Sequence, residues 1–315
     1  MELCAHIWRL KIRRYSLAKR RTGGMNLDGA VGRRSGAAPR HLPGAMSFSR
    51  LGEWNVTEAN SAVPDEHRTE VALIVGGGPG ISASCARLFS SRGMRVAVAA
   101  RNPDKPVLQV LEETRGVRRF ACDASDPTSV AALFESVTHD IGAPSLVVHN
   151  IDGRVAGILR KPFTEAAADL VLGTLQNSAF SAFLVGQEAA RRMLAMPPGT
   201  NGARGTILFT NASAALKGFP LSAAFAMACQ AKSGLAQSMA RELMPQGIHV
   251  ASVPIDGAIG WMQEDGTRSH RLAGTSVDDN MVNPDHIAEA YLQLHRQHRS
   301  TWAFEVVLRP WNEKW

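Results

Sequence analysis

The amino-acid sequence predicts an α/β fold in which helices cover both faces of a doubly wound parallel sheet. From residue 70 onwards, short apolar runs alternate with segments of helical periodicity. The runs are apolar throughout, which is typical of parallel strands that are buried on both faces. Composition changes once, near residue 66, where a basic leader gives way to the alternating part. We therefore expect one three-layer α/β/α domain over residues 67–315.

The first predicted unit consists of a strand, a glycine-rich turn, a helix and a second strand. The strand EVALIV spans residues 70–75, and the turn GGGPG follows it directly. The helical segment ISASCARLFSSRG then leads to the strand RVAVAA at 95–100. Glycines at such a turn let the backbone approach a pyrophosphate, while the helix N-terminus supplies N–H groups. This placement indicates a nucleotide site, with a purely structural turn as the alternative.

The same alternation continues to the end of the chain. After the strand RRFACD, Asp126 and Pro127 begin a helix through TSVAALFESVTHDIG, because Asp is a preferred N-cap residue and Pro fits the first turn. SLVVHN at 145–150 and TILFTNAS are buried strands, separated by the helix FSAFLVGQEAARRML. The remaining elements are a helix containing AAFAMACQAK (223–232), the strand HVASVPI, a helix that starts at Asn283 and Pro284, and an edge strand in TWAFEVVLR.

The positive charge of the chain is concentrated in the leader. Residues 1–50 hold eleven Lys and Arg against two acidic residues, whereas the rest has 24 basic and 26 acidic residues. A nucleic-acid partner is therefore not expected for the domain. The leader, residues 1–66, is expected to be disordered, and it is either an organelle transit peptide or a dispensable extension.

The cysteines and the hydropathy pattern exclude several classes of protein. Cys4, Cys85, Cys122 and Cys229 stand far apart without a CxxC pair or a nearby histidine, which argues against a metal site or a disulfide framework. No apolar run approaches the roughly 20 residues that cross a bilayer, so no membrane partner is expected. We expect a cytoplasmic protein, or a mitochondrial one if the leader is a transit peptide.

The glycine-rich turn resembles that of the short-chain dehydrogenase/reductase family, which reads Thr-Gly-x-x-x-Gly-x-Gly. Here the turn runs from Val75 to Ser82 as VGGGPGIS. The resemblance, which spans about residues 70 to 260, implies a Rossmann-like fold and a cofactor bound at Gly76, Gly78, Gly80 and Ile81. Ser82 replaces the third glycine, where its side chain either loosens the packing or offers a hydroxyl to a phosphate.

Three further positions concern the cofactor. Arg101 follows the second strand where many relatives have an acid, so the resemblance favours NADP, with NAD as the alternative. Asp123 resembles the residue that contacts the adenine, and Asn150 matches the second Asn of the family's Asn-Asn-Ala-Gly. Ile151 and Asp152 depart from that motif, which puts the affinity for the cofactor in question.

The family's catalytic pair is missing at its usual place. Relatives reduce carbonyls with a Tyr-x-x-x-Lys pair, where Tyr donates the proton and Lys lowers the pKa of Tyr and holds the nicotinamide ribose. Alignment through LAQSMARE puts Phe225 and Cys229 at these two positions. The positions of the family's Ser and Asn hold Ser213 and Ser178.

The sequence offers few substitutes for the missing pair. Tyr15 and Lys19 match the spacing but lie in the leader, and Tyr291 lies in the last helix. Lys232, three residues after Cys229, is expected to be an exposed helix lysine, with a side chain that reaches back towards the ribose as the alternative. His149 is expected to be structural, although it stays a candidate proton donor beside Ser213 and water.

Two functions follow from these observations. The first is an NADP(H)-dependent oxidoreductase acting on an unknown small-molecule carbonyl or alcohol. The second is a catalytically silent relative that binds a nucleotide or a protein partner. By analogy with the family, we expect a homodimer or homotetramer, and residues 261–282 occupy the place of the variable substrate lid.

Overall fold

The computed structural model describes residues 70–199, 201–263, 266–270, 274–275, 277 and 279–314. Three predictions lie outside the described residues: the leader, the Tyr-x-x-x-Lys spacing of Tyr15 and Lys19, and the domain start at residue 67.

A six-stranded parallel sheet forms the centre of the domain. Its strands are β1 (Val71–Val75), β2 (Arg95–Ala100), β3 (Arg118–Ala121), β4 (Leu146–His149), β5 (Gly205–Ala212) and β6 (Ile248–Ile255). They are arranged in the order β3-β2-β1-β4-β5-β6, and every neighbouring pair is parallel. The direction of strand addition reverses between β1 and β4, which is where such sheets bind ligands at the carboxyl ends of the strands.

Helices cover both faces of this sheet. They are α1 (Ile81–Ser91), α2 (Pro106–Arg115), α3 (Pro127–Asp140), α4 (Ala168–Leu175), α5 (Ser181–Ala195), α6 (Ala223–Leu243) and α7 (Pro284–Arg296). Helices α3, α5 and α6 pack on one face, and α1, α2 and α7 pack on the other. Alternate residues of β1 enter the two cores, so the prediction of a doubly wound three-layer fold is confirmed.

Both predicted helix starts have the expected caps. The carboxylate of Asp126 accepts hydrogen bonds from the backbone N–H groups of Thr128 and Ser129 at the start of α3. The side chain of Asn283 accepts one from the N–H of Asp285 at the start of α7. Each cap satisfies backbone donors that a helix leaves without an intrahelical partner.

Two features at the edge of the domain depart from the sequence prediction. The final segment lies parallel to β6, but it pairs only at isolated positions, Ser252 with Glu305 and Ile255 with Leu308. The lid segment, for which no strands were predicted, forms a small antiparallel sheet of β7 (Trp261–Met262), β8 (Arg268–His270) and β9 (Gly274–Thr275). Within the described residues, no helix combines the length and the apolar character that crossing a membrane requires.

Candidate active site

One cavity of about 570 Å³ opens at the carboxyl ends of the central strands. The glycine-rich turn forms one end of its wall, with Gly78 to Ser82 as lining residues. The residues that follow β4 and β5 and one face of α6 form much of the remainder. Residues after β6, including Gly257 to Ile259, also line it. The cavity therefore lies at the reversal point of the sheet, where a dinucleotide is expected.

The glycine-rich turn leaves space for a ligand against its backbone. Gly76 has φ +112°, and a Cβ there would lie 2.2 Å from the carbonyl oxygen of Asn150, so this position requires glycine. At Gly78 and Gly80, by contrast, a Cβ would meet nothing within 4 Å. Gly80 is also the N-cap of α1 and provides no side-chain cap. An open backbone cradle at a helix N-terminus fits a pyrophosphate.

Ser82, which replaces the third glycine, holds the turn together. Its side chain is buried, and its hydroxyl donates a hydrogen bond of 2.7 Å to the carbonyl oxygen of Gly76. The same hydroxyl accepts a hydrogen bond of 2.7 Å from the side-chain amide of Asn150. The hydroxyl thus links the residues that follow β1 and β4. This link explains the serine without either expected effect, a looser packing or a contact with a phosphate.

Arg101 and Asp123, the side chains expected at the adenosine end of the cofactor, are not among the described residues that line the cavity. Arg101 is exposed directly after β2. Hydrogen bonds from Ser125, with a smaller contribution from the charge of Arg101, hold the pKa of Asp123 below its usual value. Lys105, which the sequence analysis missed, donates a hydrogen bond of 2.6 Å to the carbonyl oxygen of Gly77. Two cations therefore follow β2, and one of them, Lys105, contacts the glycine-rich turn.

The positions of the missing catalytic pair both line the cavity. The Arg154 guanidinium lies over the Phe225 ring, 4.4 Å from its centre, and forms an ion pair of 2.7 Å with Asp152. Burial raises the pKa of the Cys229 thiol to about 11. Phe225 has no proton to donate, and Cys229 stays neutral at physiological pH. Both residues thus line the cavity, without the chemistry of the family's pair.

The two serine candidates are separated. Ser213 lines the cavity together with Phe225 and Cys229. Ser178 is fully buried in a π-helical turn, Gln176–Phe180, between α4 and α5, and it is not among the lining residues described. A Cβ at Gly153 would lie 2.5 Å from the Cβ of Ser178, so the loop after β4 packs closely on it. Ser213 can reach a ligand, whereas Ser178 supports the loop.

His149 and Tyr291 are core residues rather than reagents. Nε2 of His149 lies 2.9 Å from the hydroxyl of Ser181, and burial, helped by the charge of Lys232, lowers the pKa of His149 well below its usual value. The Tyr291 hydroxyl lies 2.7 Å from that of Thr210, and burial raises its pKa. Both side chains are fully buried, which confirms the structural interpretation of His149 and removes it as a proton donor.

Lys232 is the residue that the sequence analysis placed wrongly. It is not an exposed helix lysine: its side chain is 2% exposed and lines the cavity. Its ammonium donates hydrogen bonds of 3.1 Å to the carbonyl oxygen of Ile151 and 3.2 Å to that of Thr210. Burial lowers the pKa of Lys232 to about 8, because the charged form loses its hydration. The site therefore contains an ammonium, three residues further along α6 than the expected position.

The small antiparallel sheet forms a wall of the cavity. Trp261 and His270 line it, and their rings meet edge to face at 5.7 Å. Arg268, in β8, forms an ion pair of 3.2 Å with Asp285, which also binds Arg87 of α1 at 2.9 Å. The lid is thus connected to the helix that begins at the glycine-rich turn. Among the described residues, no group of histidines, cysteines and acids is arranged to hold a metal ion.

Comparison with known proteins agrees with this geometry. A family model described as enoyl-(acyl carrier protein) reductase matches residues 76–303. The chain is 25% identical over 221 residues to L-2,3-butanediol dehydrogenase of Corynebacterium glutamicum, an alignment that covers 67% of this chain and 81% of that protein. It is 30% identical over 193 residues to sorbitol-6-phosphate 2-dehydrogenase of Escherichia coli, which covers 58% and 70% respectively.

Solved structures give the same result. A short-chain dehydrogenase from Rhodopseudomonas palustris is 30% identical, with a TM-score of 0.62 over 78% of this chain and 100% of that one. A metagenomic short-chain oxidoreductase in complex with NADP shares the fold at 22% identity, with a TM-score of 0.61 over 78% and 98% of the two chains. The chain therefore belongs to the short-chain dehydrogenase/reductase family, a family of oxidoreductases that use a nicotinamide cofactor.

Proposed function

We propose that the chain is an NADP(H)-dependent oxidoreductase that interconverts a carbonyl and an alcohol on a small molecule. The observation that carries the proposal is the continuity of the cavity. It extends from the open glycine-rich turn at Gly78 and Gly80 to the wall that contains Ser213, Phe225 and Lys232. Cofactor and substrate can therefore meet in one space. When bound, the nicotinamide supplies or accepts a hydride.

The residues that would hold the cofactor follow from charge and space. Gly78, Gly80 and Ile81 offer backbone at the start of α1 to the pyrophosphate. Arg101 and Lys105 follow β2, where the ribose of the adenosine half is expected, and two cations there favour a 2′-phosphate. This is the reason to propose NADP rather than NAD.

Ser213 and Phe225 have different parts in the proposed reaction. The hydroxyl of Ser213 can donate a hydrogen bond to the substrate oxygen and orient it, and such donors favour the negative charge that develops there. Phe225 provides an apolar wall. Neither group delivers a proton at neutral pH.

A catalytically silent protein that binds a nucleotide or a protein partner is the second candidate. One arrangement favours it, the Arg154 guanidinium over the Phe225 ring. Where relatives have a tyrosine that donates a proton, this chain has an apolar ring covered by a cation. A titration with NADPH followed by turnover with activated diketones distinguishes the two. Binding with turnover supports the oxidoreductase, and binding without turnover across the panel supports the silent protein.

We also propose that the functional unit is the predicted domain, residues 67–315, and that residues 1–66 contribute little to it. Protein that lacks residues 1–66 should keep its melting temperature and its affinity for NADPH, and a fall of several degrees would contradict this. Fusion of residues 1–66 to a fluorescent protein tests the compartment. We expect the fusion in the cytoplasm, and mitochondrial import would instead identify a transit peptide.

A homodimer or homotetramer is proposed from the apolar residues exposed on neighbouring helices. Leu172 of α4, Phe183 of α5 and Met227 of α6 are 56%, 40% and 47% exposed, and Phe180 stacks on Phe183 at 6.2 Å. Apolar side chains grouped in this way are typical of an interface. Light scattering after chromatography should give a multiple of the chain mass, and the double variant Phe180→Glu with Phe183→Glu should give a monomer.

A further inference from the structure

Lys232 has an environment that a purely structural lysine rarely has. Its side chain is 2% exposed, and it has no salt-bridge partner among the described residues. The ammonium has three N–H groups, and it donates hydrogen bonds to two backbone carbonyl oxygens, those of Ile151 and Thr210. The residue also lines the cavity, and the hydrogen bonds described for its ammonium go to these two oxygens, which leaves one N–H for a bound molecule to meet.

The position of Lys232 is fixed by the helix that carries it. Ala224, Ala228, Ala236 and Ala240 are buried at four-residue spacing on α6, and Lys232 occupies the central place in the same stripe. Residues four apart lie on one face of a helix. The small alanines let α6 pack against the sheet, and this packing holds the lysine at the carboxyl ends of β4 and β5.

Several charged or titratable groups surround the amine. Cys229 lies on the same helix, Asp152 and Arg154 follow β4, and His149 is the last residue of β4. The loss of hydration lowers the pKa of Lys232 to about 8, and it outweighs the negative charge of Asp152, which favours the charged amine. An amine with such a pKa gains and loses its proton near neutral pH.

We infer that Lys232 is the proton donor for carbonyl reduction in this cavity, and the proton acceptor for the reverse reaction. The inference rests on the proposed function. It is carried by the burial of the ammonium in the cavity wall, by its two carbonyl partners, and by the absence of an exchangeable proton at Phe225.

The step conserves atoms and charge. A hydride, with its electron pair, reaches the carbonyl carbon from the reduced nicotinamide that the proposed function requires. As the oxygen becomes negative, an N–H bond at Nζ of Lys232 breaks and an O–H bond forms on the substrate. The electron pair of the N–H bond stays on nitrogen, which leaves a neutral amine, and the amine regains a proton from water that enters the cavity.

His270 is the competing group, because it also lines the cavity and histidine titrates near neutral pH. It lies on β8 in the lid, edge to face with Trp261. A His270→Gln variant therefore belongs in every test of Lys232.

The first test measures the amine itself, without cofactor or turnover. The chain has seven lysines, so carbon NMR of protein labelled at lysine Cε can resolve them, and Lys232→Met assigns the signal. We expect the Lys232 signal to titrate with a midpoint near 8, whereas an ordinary lysine titrates near 10.5. A midpoint above 10 overturns the inference.

The second test uses NADPH and an activated diketone with the full chain. Lys232→Met should lose about 100-fold or more in kcat/KM, the usual contribution of general acid catalysis. Lys232→Gln, which keeps N–H donors for the two carbonyl oxygens, should lose as much. Lys161→Met, which removes an exposed lysine, is the control and should match wild type. In wild type, kcat/KM for reduction should fall as the pH rises through the midpoint measured for Lys232.

The outcomes separate the inference from the proposed function. Loss of turnover in both Lys232 variants, with NADPH affinity retained within about fivefold, supports the inference. Wild-type turnover in Lys232→Gln overturns the inference. An alkaline fall of kcat/KM that disappears only in His270→Gln also overturns it. Both results leave the proposed function standing. A wild-type chain that binds NADPH but reduces nothing overturns both.

Discussion

The guanidinium carbon of Arg154 lies 4.4 Å from the centre of the Phe225 ring, inside the cavity. A cation at this distance is attracted to the face of an aromatic ring. The same cation would favour the ionised form of a phenol in that place and so lower its pKa. The site thus retains a positive charge beside the position of the family's acid, although the acid itself is absent.

Phe225→Tyr should therefore raise the rate of reduction of an activated diketone by about tenfold, because it adds a second proton donor near a cation. The measurement is kcat/KM with saturating NADPH. In a matched variant, Arg154→Gln combined with Phe225→Tyr, the gain should be lost. A folded Phe225→Tyr variant that binds NADPH but stays at the wild-type rate would contradict the assignment of this position.

Two glycines of the same turn should respond in opposite ways to substitution. Gly78→Val should keep the wild-type melting temperature but lose NADPH binding, because its side chain enters open space that the cofactor would use. Gly76→Ala should unfold at lower temperature, since its Cβ would lie 2.2 Å from a backbone oxygen. Gly218→Val, also in open space but outside the cavity lining, is the control. NADPH binding by Gly78→Val would place the cofactor elsewhere.

The pH dependence of stability should report the buried amine. The pKa of Lys232 is about 8 in the fold and 10.5 as an ordinary lysine, so the unfolded chain binds more protons between these values. The free energy of unfolding therefore rises with pH between 8 and 10.5. Below pH 8 the folded chain buries a charged amine, and the full cost of that burial lowers its stability. The wild-type free energy of unfolding should gain about 3 kcal/mol relative to Lys232→Met between pH 7 and 10.5. A difference that stays constant with pH would rule out a lowered pKa.

Cofactor preference should depend on the cations after β2. Arg101→Asp should shift the ratio of NADPH to NADH affinity towards NADH by about tenfold or more, because a charged hydrogen bond to the 2′-phosphate is lost and a repulsion is added. Arg115→Asp, at the far end of α2, has the same change of charge and should leave the ratio unaltered. An unchanged ratio in Arg101→Asp would show that this side chain does not meet the phosphate.

The sequence predicted the fold well because the signals are local. Apolar runs identify buried strands, and side chains such as Asp126 and Asn283 mark helix starts whatever the tertiary context. The place of the lid was predicted but its strands were not, because they are only two or three residues long and are held by distant contacts. The ion pair between Arg268 and Asp285 is one of these.

The site was predicted less completely, since exposure depends on how elements pack. The alignment placed Ser213 and Phe225 in the cavity, but Ser178 lies buried below the loop that contains Gly153. Lys232 was taken for a solvated lysine, although it stands in a stripe of alanines at four-residue spacing. That spacing is visible in the sequence and is the signal by which its burial could have been recognised.

The most direct test of the account is a fluorescence titration of the full chain with NADPH and with NADH. We propose that the cavity at the glycine-rich turn binds a nicotinamide cofactor and that two cations after β2 select the 2′-phosphate. We therefore expect saturable binding of both dinucleotides, with NADPH bound at least about tenfold more tightly. If neither NADPH nor NADH binds, the cavity is not a nicotinamide site.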